Sequence, residues 1–210
     1  NGSGAATITC QSLANAKVKA SIRVHVRGGA HSTLTITAAG DAVLGGDQRS
    51  GRVVANPRSY QAFKAVTDTL AIEGKESLVF WNVKNFFGGD ANISTLNLEG
   101  TLTLKDTRDD KKPFVFQGRP EWARTIVKAA GIDAVNLANN HSYDVGKDGY
   151  EGTIRALSKP DLRIKYYGNG DTDCITKIGV KVAFLGYVSK GAYLSRMRSE
   201  IQSAAKKADI

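Results

Sequence analysis

From residue 33 onward, apolar strand-like runs alternate with stretches of helical periodicity, and several of those runs close on glycine, asparagine or a carboxylate. Few folds accept that alternation. It predicts a layered α/β architecture with a largely parallel sheet. The run LTITAAGD (34–41) reads as an apolar strand leading into a glycine turn. Tyr60, Phe63, Val66, Thr67 and Leu70 then fall at helical spacing after Pro57, and Ser77–Phe87 reads as a second helix. ISTLNLEG (93–100) is a strand that ends on polar residues. KDTRDDKK (105–112) mixes both charge signs without a period and is expected to be a solvated loop. Pro120 opens a helix that presents Trp122, Ile126, Val127 and Ala130 on one face. IDAVNLA (132–138) is a further strand, and Gly146 opens a helix carrying Tyr150, Ile154 and Leu157. RIKYYG, CITKI and KVAFLGY give three more strands, the last two turning about Gly179. Leu194, Met197, Ile201, Ala204 and Ala208 complete the chain with an amphipathic helix.

Residues 1–30 have a different texture. ATITC (6–10) and KASIRVHVR (19–27) alternate apolar with polar or basic residues at period two, which predicts an antiparallel hairpin before Gly28 and Gly29. The chain therefore divides into 1–30, a β-hairpin, and 33–210, the α/β body. The hairpin text GSGAATITCQSLANAKVKASIRVHV resembles the last hairpin of bacterial immunoglobulin-like domains of the intimin/invasin type. That resemblance implies a modular protein, extracellular or attached to the cell surface.

Composition narrows the function classes modestly. With 210 residues, 41% hydrophobic and 23% charged, the chain has material for a substantial core. No apolar run approaches the ~18 residues of a membrane span. Cys10 and Cys174 are too few for a disulfide framework or a cysteine-rich zinc site, and whether they meet is open. There are 29 basic and 20 acidic residues, a formal net charge of +9. Lys17, Lys19, Arg23 and Arg27 all precede the first acidic residue, Asp41, so +4 lies in the first 40 residues. A basic surface suits polyanions. Nucleic acid is disfavoured, because no RNP-type aromatic motif, zinc finger or arginine-rich run is present.

In α/β sheets, ligands bind beyond the carboxyl ends of the strands. Three strand ends here carry polar clusters. GDAVLGGD puts Asp41 at the first tip. NLEG puts Asn97 and Glu99 on one strand face. LANNHSYDVG gathers Asn139, Asn140, His141 and Asp144 in one loop. Carboxylates, amide oxygens and an imidazole converging from separate strands suit a divalent cation such as Mn, Mg, Fe or Zn. Each residue also has a plainer role available: Asp41 as a turn cap, Glu99 as a solvated strand end, Asn139 and Asn140 as a turn pair, and His141 as a hydrogen-bonded loop residue.

These segments resemble the bacterial capsule-synthesis protein family associated with poly-γ-glutamate capsules. Gly40-Asp41-Ala42-Val43-Leu44-Gly45 matches its G-D-x-x-L-G segment, and Asn97 through Thr103 matches N-L-E-G-x-L-T. Gly131 through Gly146 matches G-x-D-x-V-x-L-A-N-N-H-x-x-D-x-G, followed by Gly149, Thr153 and Leu157 of a G-x-x-x-T-x-x-x-L run. The resemblance spans about 33–210 and implies a metallophosphoesterase-like sandwich of sheets between helices. It implies that Asp41, Glu99 and Asn140 are metal ligands and that His141 is the acid or electrostatic group. Asp144 would orient the His141 imidazole, with Asn97 and Asn139 toward the substrate. The implied partners are an anionic cell-envelope polymer such as poly-γ-glutamate and other capsule-synthesis or membrane proteins. Val43 departs from the phosphoesterase pattern, which has histidine there. The family's H-W-G and G-H-x-P-H segments are expected beyond Ile210, so the fold and its ligand set are expected to be incomplete within these residues.

Overall fold

The computed structural model of the chain describes residues 3–11, 19–27, 33–46, 65–70, 72–73, 75–89, 91–105, 112–188 and 194–210. Tyr60 and Phe63 of the first expected helix, and most of the 105–112 loop, lie outside these residues. Strands β1 (Ser3–Gln11) and β2 (Lys19–Arg27) pair antiparallel, from Ser3 opposite Arg27 to Gln11 opposite Lys19, in a two-stranded sheet of their own. The hairpin expected from the period-two text is therefore present.

The body is an α/β fold around a four-stranded parallel sheet in the order β3-β4-β7-β8. Its strands are β3 (Ile36–Ala42), β4 (Ile93–Leu98), β7 (Ala134–Asn136) and β8 (Lys165–Tyr167). Strand β4 lies inside the sheet with neighbours on both edges, and five of its six residues are buried. That position explains why ISTLNL reads as a nearly continuous buried run instead of an alternating one. Leu96, Leu98, Val135 and Leu137 from the strands meet Ile126, Val127, Ile132 and Leu157 in one core.

Helical segments cover the sheet. Residues 65–70 form α1. The stretch expected as one helix over Ser77–Phe87 is helical but not α: a 3-10 helix at Glu76–Val83 is followed by a π-turn at Asn85–Gly89. Trp81, Val83 and Phe86 are exposed along it. The segment after Pro120 is likewise a wide-pitched π-helix at Ala123–Lys128, and it buries Trp122, Ile126, Val127 and Ala130 as the periodicity predicted. Helix α2 (Gly146–Leu157) buries Gly149, Thr153 and Leu157. Their spacing of four places them on one helix face, and the Leu102 N–H donates to Thr153 Oγ1 at 2.8 Å, tying that face to the strand segment at Leu102.

Short strands β5 (Thr101–Leu102) and β6 (Gln117–Gly118) pair parallel. Strands β9 (Asp173–Lys177) and β10 (Val180–Phe184) form the hairpin expected around Gly179. Ile178 and Gly179, the two turn residues, both have positive φ, at 47° and 79°. Two-residue hairpins need this to match the strand twist. Helix α3 (Leu194–Ala205) follows, and the chain end returns to β10 through the Ala183 N–H to the Ile210 carbonyl at 2.8 Å.

Candidate functional site

The carboxyl ends of β3, β4 and β7 lie side by side, because these strands are consecutive neighbours in a parallel sheet. Asp41 leaves β3 at an irregularity: the β3–β4 register shifts between Ala39 and Ala42. Such a bulge re-aims the side chain it carries. The Glu99 N–H donates to the Ala42 carbonyl at 3.1 Å, which ties the first two strand ends together. Asn97 Nδ2 then reaches Asp41 Oδ1 at 2.5 Å.

The third strand end folds back on itself. Asn139 Oδ1 accepts the His141 N–H at 3.0 Å and the Ser142 hydroxyl at 3.1 Å, and the Ser142 hydroxyl also donates to the Leu137 carbonyl. This is the local capping that asparagine and serine bring to tight turns. It aims the His141 ring between two carboxylates. Its Nδ1 lies 2.7 Å from Asp144 Oδ2, and its Nε2 lies 3.7 Å from Glu99 Oε1. The Phe116 ring stacks on the imidazole with centroids 4.2 Å apart and planes 28° apart.

Asp144 is almost fully buried, its side chain 1% exposed. A carboxylate there must have its oxygens satisfied. Three donors do so: His141 Nδ1, the Phe116 N–H at 2.7 Å and Lys112 Nζ at 3.0 Å. Facing a carboxylate oxygen, Nδ1 carries the proton, which leaves Nε2 directed toward Glu99. Glu99 is in a different situation. Burial, then repulsion from Asp41, push its carboxyl above the ordinary carboxylate range, against the attraction of His141.

Asp41, Glu99 and His141 are thus brought to one sheet edge, with Asp144 behind the imidazole. Asn140 stands in the same loop with an exposed side chain that makes no hydrogen bond to another described residue. Asn97 and Asn139 have their amide groups engaged within the protein: Asn97 with Asp41, and Asn139 Nδ2 with Asn97 Oδ1 at 3.0 Å and the Leu98 carbonyl at 2.9 Å. Sequence reasoning missed Lys112, which belongs to the loop expected to be solvated yet ends against Asp144. It also missed Phe116 and Asn136. No periodicity marked them, since their roles depend on contacts across 28 to 39 residues of sequence.

A divalent cation fits the donor chemistry here, because carboxylate oxygens of Asp41 and Glu99 and the Nε2 of His141 lie at one sheet edge, with Nε2 3.7 Å from Glu99 Oε1. The fit is partial. Among the described residues, no three His, Cys, Asp or Glu side chains are grouped closely enough to hold a metal ion by themselves.

Residues 35–210 match the family model described as bacterial capsule synthesis protein PGA_cap. The chain belongs to this family. A relative, the capsule biosynthesis protein CapA of Bacillus anthracis, is 32% identical over 118 residues, which is 52% of this chain and 28% of the relative. The chain thus matches little more than a quarter of that relative's length. The G-D, N-L-E-G and A-N-N-H segments that carried the resemblance are the segments that meet at the site.

Proposed function

We propose that this member of the capsule synthesis family handles an anionic envelope polymer of the poly-γ-glutamate type at the cell surface, through a divalent cation at the edge of β3, β4 and β7. One observation carries the reading: the largely buried Glu99, 3.7 Å from His141 Nε2, is pushed above its ordinary range by burial and then by the neighbouring, exposed Asp41. That arrangement is costly for a bare protein and favourable around a cation. It also resolves a charge problem, since a polyanion is repelled by two bare carboxylates but attracted by a cation bound between them.

Asp41 and Glu99 would hold the ion, joined by Asn140, whose exposed amide is free to turn toward it. A bound divalent ion supplies Lewis-acid polarisation of a phosphoryl or carbonyl oxygen. The chain's own residues do the rest. His141, oriented by Asp144 and shielded on one face by Phe116, presents Nε2 beside Glu99, where it can hold or deliver a proton to a leaving group. Asn97 and Asn139 fix the strand ends that carry these groups. The parallel sheet with ligands at its carboxyl edge agrees with a metallophosphoesterase-like layering. Its reaction class is metal-assisted hydrolysis or transfer at a phosphoryl or γ-glutamyl centre.

A second reading is a non-catalytic module that grips the polymer or assembles with other capsule-synthesis or membrane proteins. The incomplete ligand grouping favours it. The two separate in one experiment, which measures hydrolysis of a phosphodiester and of a γ-glutamyl oligomer with and without Mn2+, on the unmodified protein and on His141→Ala. Mn2+-dependent turnover that His141→Ala abolishes supports the first. Polymer retention with no turnover in any condition overturns it for the second.

A further inference from the structure

Asn136 closes β7, at a position that the capsule-family motif leaves free. Its amide is not free in the structure. The Ala138 N–H donates to Asn136 Oδ1 at 3.0 Å. A backbone N–H has only one polarity, so this bond identifies the oxygen of the amide, and Nδ2, which also donates to the Ala138 carbonyl at 3.3 Å, is the donor. Nδ2 donates to Asn97 Oδ1 at 3.0 Å. A second lock arrives from the neighbouring loop. The His141 N–H fixes Asn139 Oδ1, and Asn139 Nδ2 also donates to Asn97 Oδ1 at 3.0 Å. With two donors on its oxygen, Asn97 must turn Nδ2 toward Asp41, which it meets at 2.5 Å.

Packing holds the first amide in place. A Cβ on Gly186 would overlap Asn136 Oδ1, and one on Gly168 would lie 2.9 Å from the same atom. Two glycine backbones therefore close on Asn136 where any larger residue would displace it.

We infer that Asn136 is a positioning residue that sets the direction of an asparagine relay, so that Asp41 is presented with an N–H donor and keeps its other oxygen for a ligand. The relay depends on hydrogen-bond polarity, not on bulk, and this separates it from a packing role. Asn136→Asp is nearly isosteric, yet it replaces a donor by an acceptor facing the Asn97 oxygen. Asn97 is then caught between the acceptor at 136 and the Asn139 donor, and turning over sets its oxygen against Asp41 and its nitrogen against Asn139. Asn136→Ala removes bulk but leaves the Asn139 lock intact.

The test has two arms on the unmodified chain and its variants. In the first, hydrogen exchange of side-chain amides is followed by NMR, with the exposed Asn140 as internal reference. The Asn97 protons should exchange at least about tenfold more slowly than those of Asn140. Equal rates overturn the relay. Gly186→Ala, which presses on Asn136 Oδ1, should speed Asn97 exchange and leave Asn140 unchanged, and no change at Asn97 counts against it. The second arm rests on the cation reading and measures Mn2+ binding. Asn136→Asp should weaken it about tenfold, and more than Asn136→Ala does. A larger loss in Asn136→Ala shows simple packing, and tighter binding in Asn136→Asp shows bulk electrostatics. Either result rejects the relay. An unmodified chain that takes no Mn2+ removes the cation reading, and the exchange arm then decides the relay by itself. If Asn136→Asp does not fold, the exchange rates of the unmodified chain and of Gly186→Ala decide in the same way.

Discussion

Glu99 shows how a residue's place in the sheet becomes a measurable energy. Its side chain is 16% exposed, and its carboxyl is raised above the ordinary 4.5, first by burial and then by Asp41. A carboxyl with a raised folded-state pKa favours the fold while protonated. That support is lost as pH climbs from the ordinary carboxylate range through the folded pKa. In the metal-free chain, Glu99→Gln should therefore melt higher than wild type at pH 7. The gain should vanish below about pH 4.5, and thermal melts across pH check it. Asp144 is buried and served by three donors. Asp144→Ala should cost about 1–3 kcal/mol, because it leaves the Phe116 N–H and His141 Nδ1 without their acceptor. Denaturant unfolding measures that loss. Asp41, Glu99, His141 and Asp144 were legible as chemistry because each closes a strand or follows one. Lys112 was not: nothing in a mixed-charge stretch shows which lysine will fold back onto a carboxylate 32 residues away.

At the scale of elements, the strands were readable because burial leaves its period in the sequence. ISTLNL and IDAVNLA were readable as strands, which the structure places inside the sheet, and the β9–β10 turn was expected at Gly179. The helices over 76–89 and 123–128 were located by their apolar face, but not by their pitch. Pitch is decided by how bulky residues such as Phe87 and Trp122 seat in the core, and a periodicity count does not resolve that. The β9–β10 turn also contains a local conflict. Ile178, β-branched and 49% exposed, holds φ at 47°. The left-handed region costs such a residue about 1–2 kcal/mol. Ile178→Gly should thus stabilise the chain by about 1 kcal/mol, seen as a higher denaturation midpoint with an unchanged slope. Deep in the sheet the sign reverses: Leu98→Ala, at 1% exposure, should cost about 2–5 kcal/mol.

The whole molecule carries +9 but brings Asp41 and Glu99 together at one edge of its parallel sheet. That contrast links fold to function. On the proposed reading, the net positive charge would draw an anionic polymer in, and this edge would accept it once a cation bridged the two. Topology makes the edge possible, since three adjacent parallel strands deliver Asp41, Glu99 and His141 to the same side. The most direct measurement is a Mn2+ titration of the chain, followed by paramagnetic broadening of the His141 and Asn97 resonances. Given a partial ligand set, one ion per chain should bind with a Kd of about 10⁻⁴ M or weaker. Asp41→Ala and Glu99→Ala should each weaken binding by about tenfold or more, that is by about 1.4 kcal/mol. Broadening that leaves His141 untouched, or Mn2+ that binds both variants as well as wild type, would contradict a cation site at this edge.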